Sequence, residues 1–542
     1  MNPSKSTVRA FAILVAFQVL MTVPLPWEPG RWWSSIARLS PDLLGIVLCV
    51  IALGGWTRSR LFAHVGVVAF AVAWLYRCFA TLVPTFYGKA FEPWVDMLEL
   101  PGLVHLLLHT YPAALQVVMI VAAACVFGFV YWLLWRGFRV VAGGGSSLVF
   151  VSTVVVAFQS AVTFAWLQSD TALRSRIAVA APSSIASACE YAIDVFASKS
   201  YRVGPIVNER VQAANQVIDR ADTSFTSLDS ADVQVLFLES YGRGILGNST
   251  RERYTTELRR LEARLTESGF VSRTGWVRPR VRGGGSSLAH LEFMSGIPVE
   301  NRRVFDALLA SPIRPLPALL RNAGYRTVNV EPAMPREWPE AAVLGFDDDA
   351  FRSSFPYRGT KYAWGDMPDQ YALARVLRDI VAKERTKPMF LQYVSITGHA
   401  PFSMIPPVLE PWERALDDGA FDRPAAKTYD ITWLNYAGHP EIEKAYVDAM
   451  CYSLRIAIEY TSKLTRPSLV FVLGDHQPPI EYVDRIERQH DVPMHVITNV
   501  PAFAKRLDDD GWPCTRGMVP DFEAASIPSS RILHRFLMSF GK

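Results

Sequence analysis

Two apolar runs of this chain end in candidate metal ligands. VQVLFLE (233–239) ends at Glu239, and SLVFVLGDH (468–476) runs straight into Asp475 and His476. In an open parallel sheet, ligands bind beyond the carboxyl ends of the strands. Two carboxylates and an imidazole there make a mixed oxygen and nitrogen set that suits Zn²⁺ or Mn²⁺ better than Ca²⁺. Each piece alone has an ordinary alternative: a helix-capping acid for Glu239 and a loop pair for Asp475 and His476. A third segment, RGGGSSLAHLEFMSGIP (282–298), has three glycines that let the backbone turn tightly and approach a ligand. Ser286 then opens a run with helical periodicity at Leu288, Leu291 and Met294. A hydroxyl at a helix amino terminus meets free N–H groups and the positive end of the helix dipole, which favour a bound phosphate and an alkoxide nucleophile. The plain alternative is a serine cap after a flexible loop.

Such residues need strands to aim them. From residue 231 short β-rich runs alternate with helical segments: 233–239, a charged helix near 251–268, YRTVNV (325–330), a helix near 369–384, PMFLQYVS (388–395), a long helix near 441–464 and 468–476. Near-continuous apolar strands separated by helices predict an α/β domain over 231–542 whose mostly parallel sheet is covered on both faces. Residues 168–230, rich in Ala and Ser, read as a connector.

The amino-terminal part is different. Of 542 residues, 50% are hydrophobic and 20% charged, and the mean hydropathy of +0.15 is too apolar for one soluble globule of this length. The excess lies in stretches near 8–26, 41–57, 61–83, 113–135 and 147–167, each about 17 to 23 residues, enough to cross about 30 Å of hydrocarbon as helix. A cleaved signal peptide explains the first stretch alone, not the four that follow. On one side, the connections hold Lys5, Arg9, Arg58, Arg60, Arg136 and Arg139 with no acid; the other side mixes Glu28, Arg31, Arg38, Lys89, Glu92, Asp96 and Glu99. The positive-inside rule therefore places the amino terminus in the cytoplasm, and five crossings put everything after residue 168 outside. Tryptophans 27, 32, 33, 94, 132, 135 and 166 lie near span ends, as an interfacial belt does. Lysine and arginine (55) against aspartate and glutamate (51) leave +4, which argues against nucleic acid as a partner. Cys49, Cys78 and Cys125 fall in the spans; of Cys189, Cys451 and Cys514 only one pair can bridge, Cys451 with Cys514 being the pair considered.

In order and in motif, the chain resembles the sulfatase and alkaline-phosphatase superfamily, above all its membrane-anchored branch of lipoteichoic acid synthases, periplasmic-glucan phosphoglycerol transferases and phosphoethanolamine transferases. The resemblance rests on strand-Glu239, the glycine-preceded hydroxyl about 45 residues later, and the late strand-Gly-Asp475-His476. It implies a multi-pass α-helical membrane bundle of about five spans followed by an alkaline-phosphatase-like α/β domain with a mostly parallel sheet. It also implies Glu239, Asp475, His476 and Ser286 as ligands of one divalent cation, Mn or Zn with Mg as a third choice. Phe293-Met294-Ser295-Gly296 matches the distance from the nucleophile to the family's Phe-x-(Ser/Thr)-Gly ending, which favours Ser286 over the runner-up Ser287. That branch normally carries threonine here. A formylglycine motif needs Pro or Ala two residues on and Arg four on; Ser286 has Leu288 and His290, and Ser287 has Ala289 and Leu291, which disfavours sulfate-ester hydrolysis.

His399, in SITGHAPF (395–402), resembles the family's substrate-binding histidine; His490, Arg336 and Trp338 are weaker substrate contacts. The implied activity is transfer of a phospholipid head group to an envelope glycan or lipid through a phospho-serine, with diacylglycerol leaving. The scarcity of cysteines favours phosphoglycerol, from phosphatidylglycerol, over phosphoethanolamine. The alternatives are a phosphodiesterase or phosphatase that uses water, and a silent relative that binds a glycan or a partner. The expected location is the bacterial inner membrane, with the catalytic domain periplasmic.

Overall fold

In the computed structural model, the apolar run that leads to Glu239 forms strand β1 (Asp232–Leu238), with all seven residues buried. The structure describes residues 60–87, 93–96, 113–142 and 203–541 apart from 248–249, 335–339, 363–366, 423–425, 432–438 and 479–488, together with isolated positions 12, 13, 15–17, 42, 46 and 91. The chain divides into two units, Met1–Tyr201 and Arg202–Lys542.

In the second unit β1 is followed by β2 (Val271–Arg278), β3 (Arg326–Glu331), β4 (Asp348–Phe351), β5 (Met389–Val394), β6 (Met404–Ile405), β7 (Lys427–Thr428), β8 (Ser468–Gly474), β9 (Val492–Thr498), β10 (Cys514–Arg516) and β11 (Ile527–Pro528). The main sheet runs β10-β2-β9-β8-β1-β5-β3-β4, with β11 beside β2, while β6 and β7 pair separately. The segment β4-β3-β5-β1-β8 is parallel throughout, and β9 runs antiparallel to both β8 and β2. The sheet is therefore mixed but mostly parallel at its centre. Val233, Val235 and Phe237 of β1 face one apolar layer, and Leu236 and Leu238 face the other. The first layer is closed by the helices Val203–Ile218, Ser286–Ser295, Leu316–Asn322 and Ile532–Phe540, the second by Arg251–Glu267, Asp369–Val376 and Ile442–Thr461. Cover on both faces is why these strands read as unbroken apolar runs.

Two central strands have no such signature. VSRTGWVR forms β2, and β9 contains Pro493. The β8–β9 ladder stops at the pair Leu473 and Met494, whereas the β2–β9 ladder runs past Pro493, which stands opposite Trp276. Cys451 and Cys514 are both free thiols, so the bridge considered between them does not form.

In the first unit the described helices are Arg60–Tyr87, Pro93–Asp96 and Ala113–Ala142. Phe17, Ile46, Val67, Phe70, Leu134 and Phe138 form a small core, whereas Val65, Val68, Val72, Val117, Val121 and Phe127 are exposed. Counted over the described residues alone, no helix is long and apolar enough to cross a membrane. The expected spans near 8–26 and 41–57 lie outside the described residues except at isolated positions, and 147–167 lies wholly outside them. Of the segment 168–230, residues from 203 onward belong to the second unit.

Candidate active site

Strand register makes the site. Leu238 pairs with Gly474 and Phe237 with Val394, so β1 and β8 end level with β5 one residue short, and the residues that follow, Glu239, Asp475 and Ser395, meet. The N–H of Glu239 donates to Ser395 Oγ (2.9 Å). Asp475 Oδ1 accepts the N–H groups of Ser240 (2.9 Å) and His476 (2.7 Å). Ser240 takes a left-handed backbone (φ 60°), held there by that contact and by its hydroxyl, which donates to Glu239 Oε1 (2.8 Å).

The glycines bring Ser286 to the site. Gly283 and Gly285 have φ of 72° and 82°, a region that disfavours side chains. The N–H of Gly283 donates to the carbonyl of Gln477 (2.7 Å), and Arg282 bridges to the same residue, which docks the loop just past His476. Ser286 then starts the Ser286–Ser295 helix. Its Oγ donates to Glu239 Oε2 (3.1 Å) and lies 3.2 Å from His476 Nε2. Among the described residues Ser287 shows no side-chain hydrogen bond to this cluster.

The cluster is short of positive charge. Burial raises the Glu239 carboxyl, but the imidazoles of His476 and His399 and the Ser240 hydroxyl outweigh it and bring it to about 2. Asp475 is pushed up to about 7 by its burial and then by the charge of Glu239. Burial works against a charge on His476, yet Asp475 and Glu239 raise its pKa. Glu239, Asp475 and His476 each offer one ligand atom, all within 4.8 Å of one another. Asp475 Oδ2 is buried and has no hydrogen-bond partner among the described residues. An orphaned carboxylate oxygen beside a second carboxylate, an imidazole and a serine hydroxyl fits a divalent cation of the Mn²⁺ or Zn²⁺ kind.

His399 is half-buried, its Nδ1 2.8 Å from the carbonyl of Ala400, and its imidazole acts on the charge of Glu239. A Cβ on the neighbouring Gly398 would overlap the carbonyl oxygen of Glu239, so glycine lets the two loops touch. His490 lies beside Val281 and Arg282 at the foot of the glycine loop, and burial lowers its pKa. Arg336 and Trp338 lie outside the described residues. Sequence reading missed Asp369, which accepts the Tyr393 hydroxyl (2.7 Å) and the N–H groups of Ile396 (2.7 Å) and Thr397 (2.9 Å) and so anchors the loop that carries His399. Its only signal was an acid just after Pro368, at a helix start. His290, one helical turn beyond Ser286, was also missed as a site residue.

The sulfatase family model matches residues 232–506. Among solved structures, the lipoteichoic acid synthase LtaP from Listeria monocytogenes is 15% identical, covering 53% of this chain and 71% of that one at a TM-score of 0.38. The Streptococcus pyogenes phosphoglycerol transferase GacH is 14% identical, covering 55% and 75% at 0.35. The C-terminal periplasmic domain of EcEptC from Escherichia coli is 13% identical, covering 57% and 82% at 0.37. No curated protein matches the sequence.

Proposed function

Because the chain belongs to the sulfatase family, we propose that it is a metal-dependent transferase that moves a phospholipid head group, phosphoglycerol in the first instance, to an envelope glycan or lipid. The observation that carries this reading is the Ser286 hydroxyl seated between Glu239 Oε2 and His476 Nε2 at the start of a helix. Glu239, Asp475, His476 and Ser286 would hold a divalent cation, which would supply Lewis acidity to the serine hydroxyl and to the phosphate.

Ser286 Oγ forms a bond to phosphorus as the bond from phosphorus to the glyceride oxygen breaks. The serine proton ends on that oxygen, and diacylglycerol leaves. The head group stays on Ser286 as a phosphodiester. His399, beside Glu239, donates to a non-bridging oxygen. An acceptor hydroxyl then attacks phosphorus, its proton returns to Ser286 Oγ, and the serine is regenerated. The same chemistry with water as acceptor describes a phosphodiesterase, and phosphoethanolamine is the second donor head group. The residues after Ser286 and Ser287 do not form a formylglycine motif, which favours a hydroxyl nucleophile over sulfate-ester hydrolysis.

Placement in the bacterial inner membrane, with the catalytic unit outside, belongs to the same proposal. It is supported by the five apolar stretches and the one-sided arginines, and the exposed valines of Arg60–Tyr87 and Ala113–Ala142 suit contact with lipid. The test is release of diacylglycerol from labelled phosphatidylglycerol by the purified protein. Ser286→Ala is expected to abolish it and Ser287→Ala to leave it. Undiminished turnover by Ser286→Ala refutes the assignment. A product mass that grows by phosphoglycerol only when acceptor is present separates transfer from hydrolysis.

A further inference from the structure

Two buried polar atoms without hydrogen-bond partners among the described residues face each other at this site, His290 Nε2 and Asp475 Oδ2. They are 4.0 Å apart, on residues only 5% and 1% exposed. His290 sits four residues after Ser286, on the same face of the helix. Its ring stacks on Phe237 of β1, centroids 4.1 Å apart at 30°, two residues before Glu239. A neutral imidazole carries one N–H, enough for one donation. A small approach of helix and strand end would bring the two within hydrogen-bond range, and a carboxylate oxygen has a further lone pair with which to face a cation. His290 falls outside the group whose ligand atoms all lie within 4.8 Å of one another. It is thus placed to support a ligand, not to be one.

We propose that His290 is a positioning residue that donates its Nε2–H to Asp475 Oδ2 and so fixes both the carboxylate that would hold the cation and the helix that presents Ser286. This rests on the metal-site reading above. Outer partners of ligating groups commonly change metal affinity by about 10- to 100-fold.

Calorimetric titration of the full chain with Zn²⁺ and with Mn²⁺ tests it, using His290→Leu and His290→Gln. Leucine keeps apolar packing on Phe237 and loses the donor; glutamine loses the stacking and keeps an N–H. A purely structural role therefore ranks leucine at or above glutamine. The hydrogen bond ranks them the other way. The expected result is an affinity about 10- to 100-fold weaker in His290→Leu, mostly restored in His290→Gln, with similar melting temperatures for the metal-free proteins. Should His290→Leu not fold, His290→Met takes its place in the same comparison. Wild-type affinity in the apolar variant, or glutamine as weak as the apolar variant, overturns the inference alone. Failure of the wild type to bind either cation overturns the metal-site reading as well.

Discussion

Glu292 shows how much one residue on the Ser286–Ser295 helix contributes through its charge state. Its side chain is fully buried, and its oxygens accept the N–H groups of Arg280 (3.1 Å) and Ser530 (3.3 Å). Burial is the largest influence and, against those hydrogen bonds, raises the carboxyl to about 7. An unfolded glutamate titrates near 4.3. Between those values the native state holds a proton that the unfolded state has lost, so stability falls as pH rises. The contribution is complete below about pH 4 and is lost as pH rises through about 7, on the order of 4 kcal/mol in all. Glu292→Gln carries no such proton. Its urea midpoint is expected to lie near that of the wild type at about pH 5 and above it at about pH 8. A difference that stays constant across that interval contradicts the argument.

At the scale of elements, function depends on which strand ends meet, and that is where the sequence was only partly legible. β1, β3, β5 and β8 were visible as apolar runs because both sheet faces are covered. Glu239, Asp475 and His476 were visible because each directly follows such a run, and Ser286 because glycines precede it. β2 and β9 were not visible: one mixes polar residues into its apolar pattern, and the other contains Pro493, a residue that argues against a strand inside a sheet. The support for the site was hidden for a different reason. Ser395 reaches Glu239 across 156 residues, and Asp369 reaches the His399 loop from another helix; no local pattern encodes the lateral order β8-β1-β5. Gly398 tests that packing. Because a Cβ there meets the backbone of Glu239, Gly398→Ala is expected to cost about 1–3 kcal/mol by overpacking and to weaken cation binding by shifting Glu239. An alanine variant with wild-type melting and wild-type titration with Mn²⁺ would show that the two loops are free to separate.

At the scale of the whole molecule, the proposed function turns on which side of a membrane the Arg202–Lys542 unit would occupy. The sequence argues this by parity. Six basic residues with no acid flank one set of connections, which by the positive-inside rule would place the amino terminus in the cytoplasm, and each crossing after it would invert the side. Five crossings put the catalytic unit where phospholipid head groups and envelope polymers meet; four or six would return it to the cytoplasm, away from those acceptors. The count depends on the weakest stretch, 41–57, which contains Asp42, Gly54 and Gly55. Fusion of a protein that fluoresces only in the cytoplasm decides the parity. Joined after Gly143, beyond Arg136 and Arg139, it is expected to be bright, and joined at Lys542 it is expected to be dark. A bright Lys542 fusion means that an even number of spans precedes the catalytic unit, and a head-group transfer in the outer leaflet is then no longer open to this protein; a dark Gly143 fusion beside it identifies 41–57 as the stretch that does not cross.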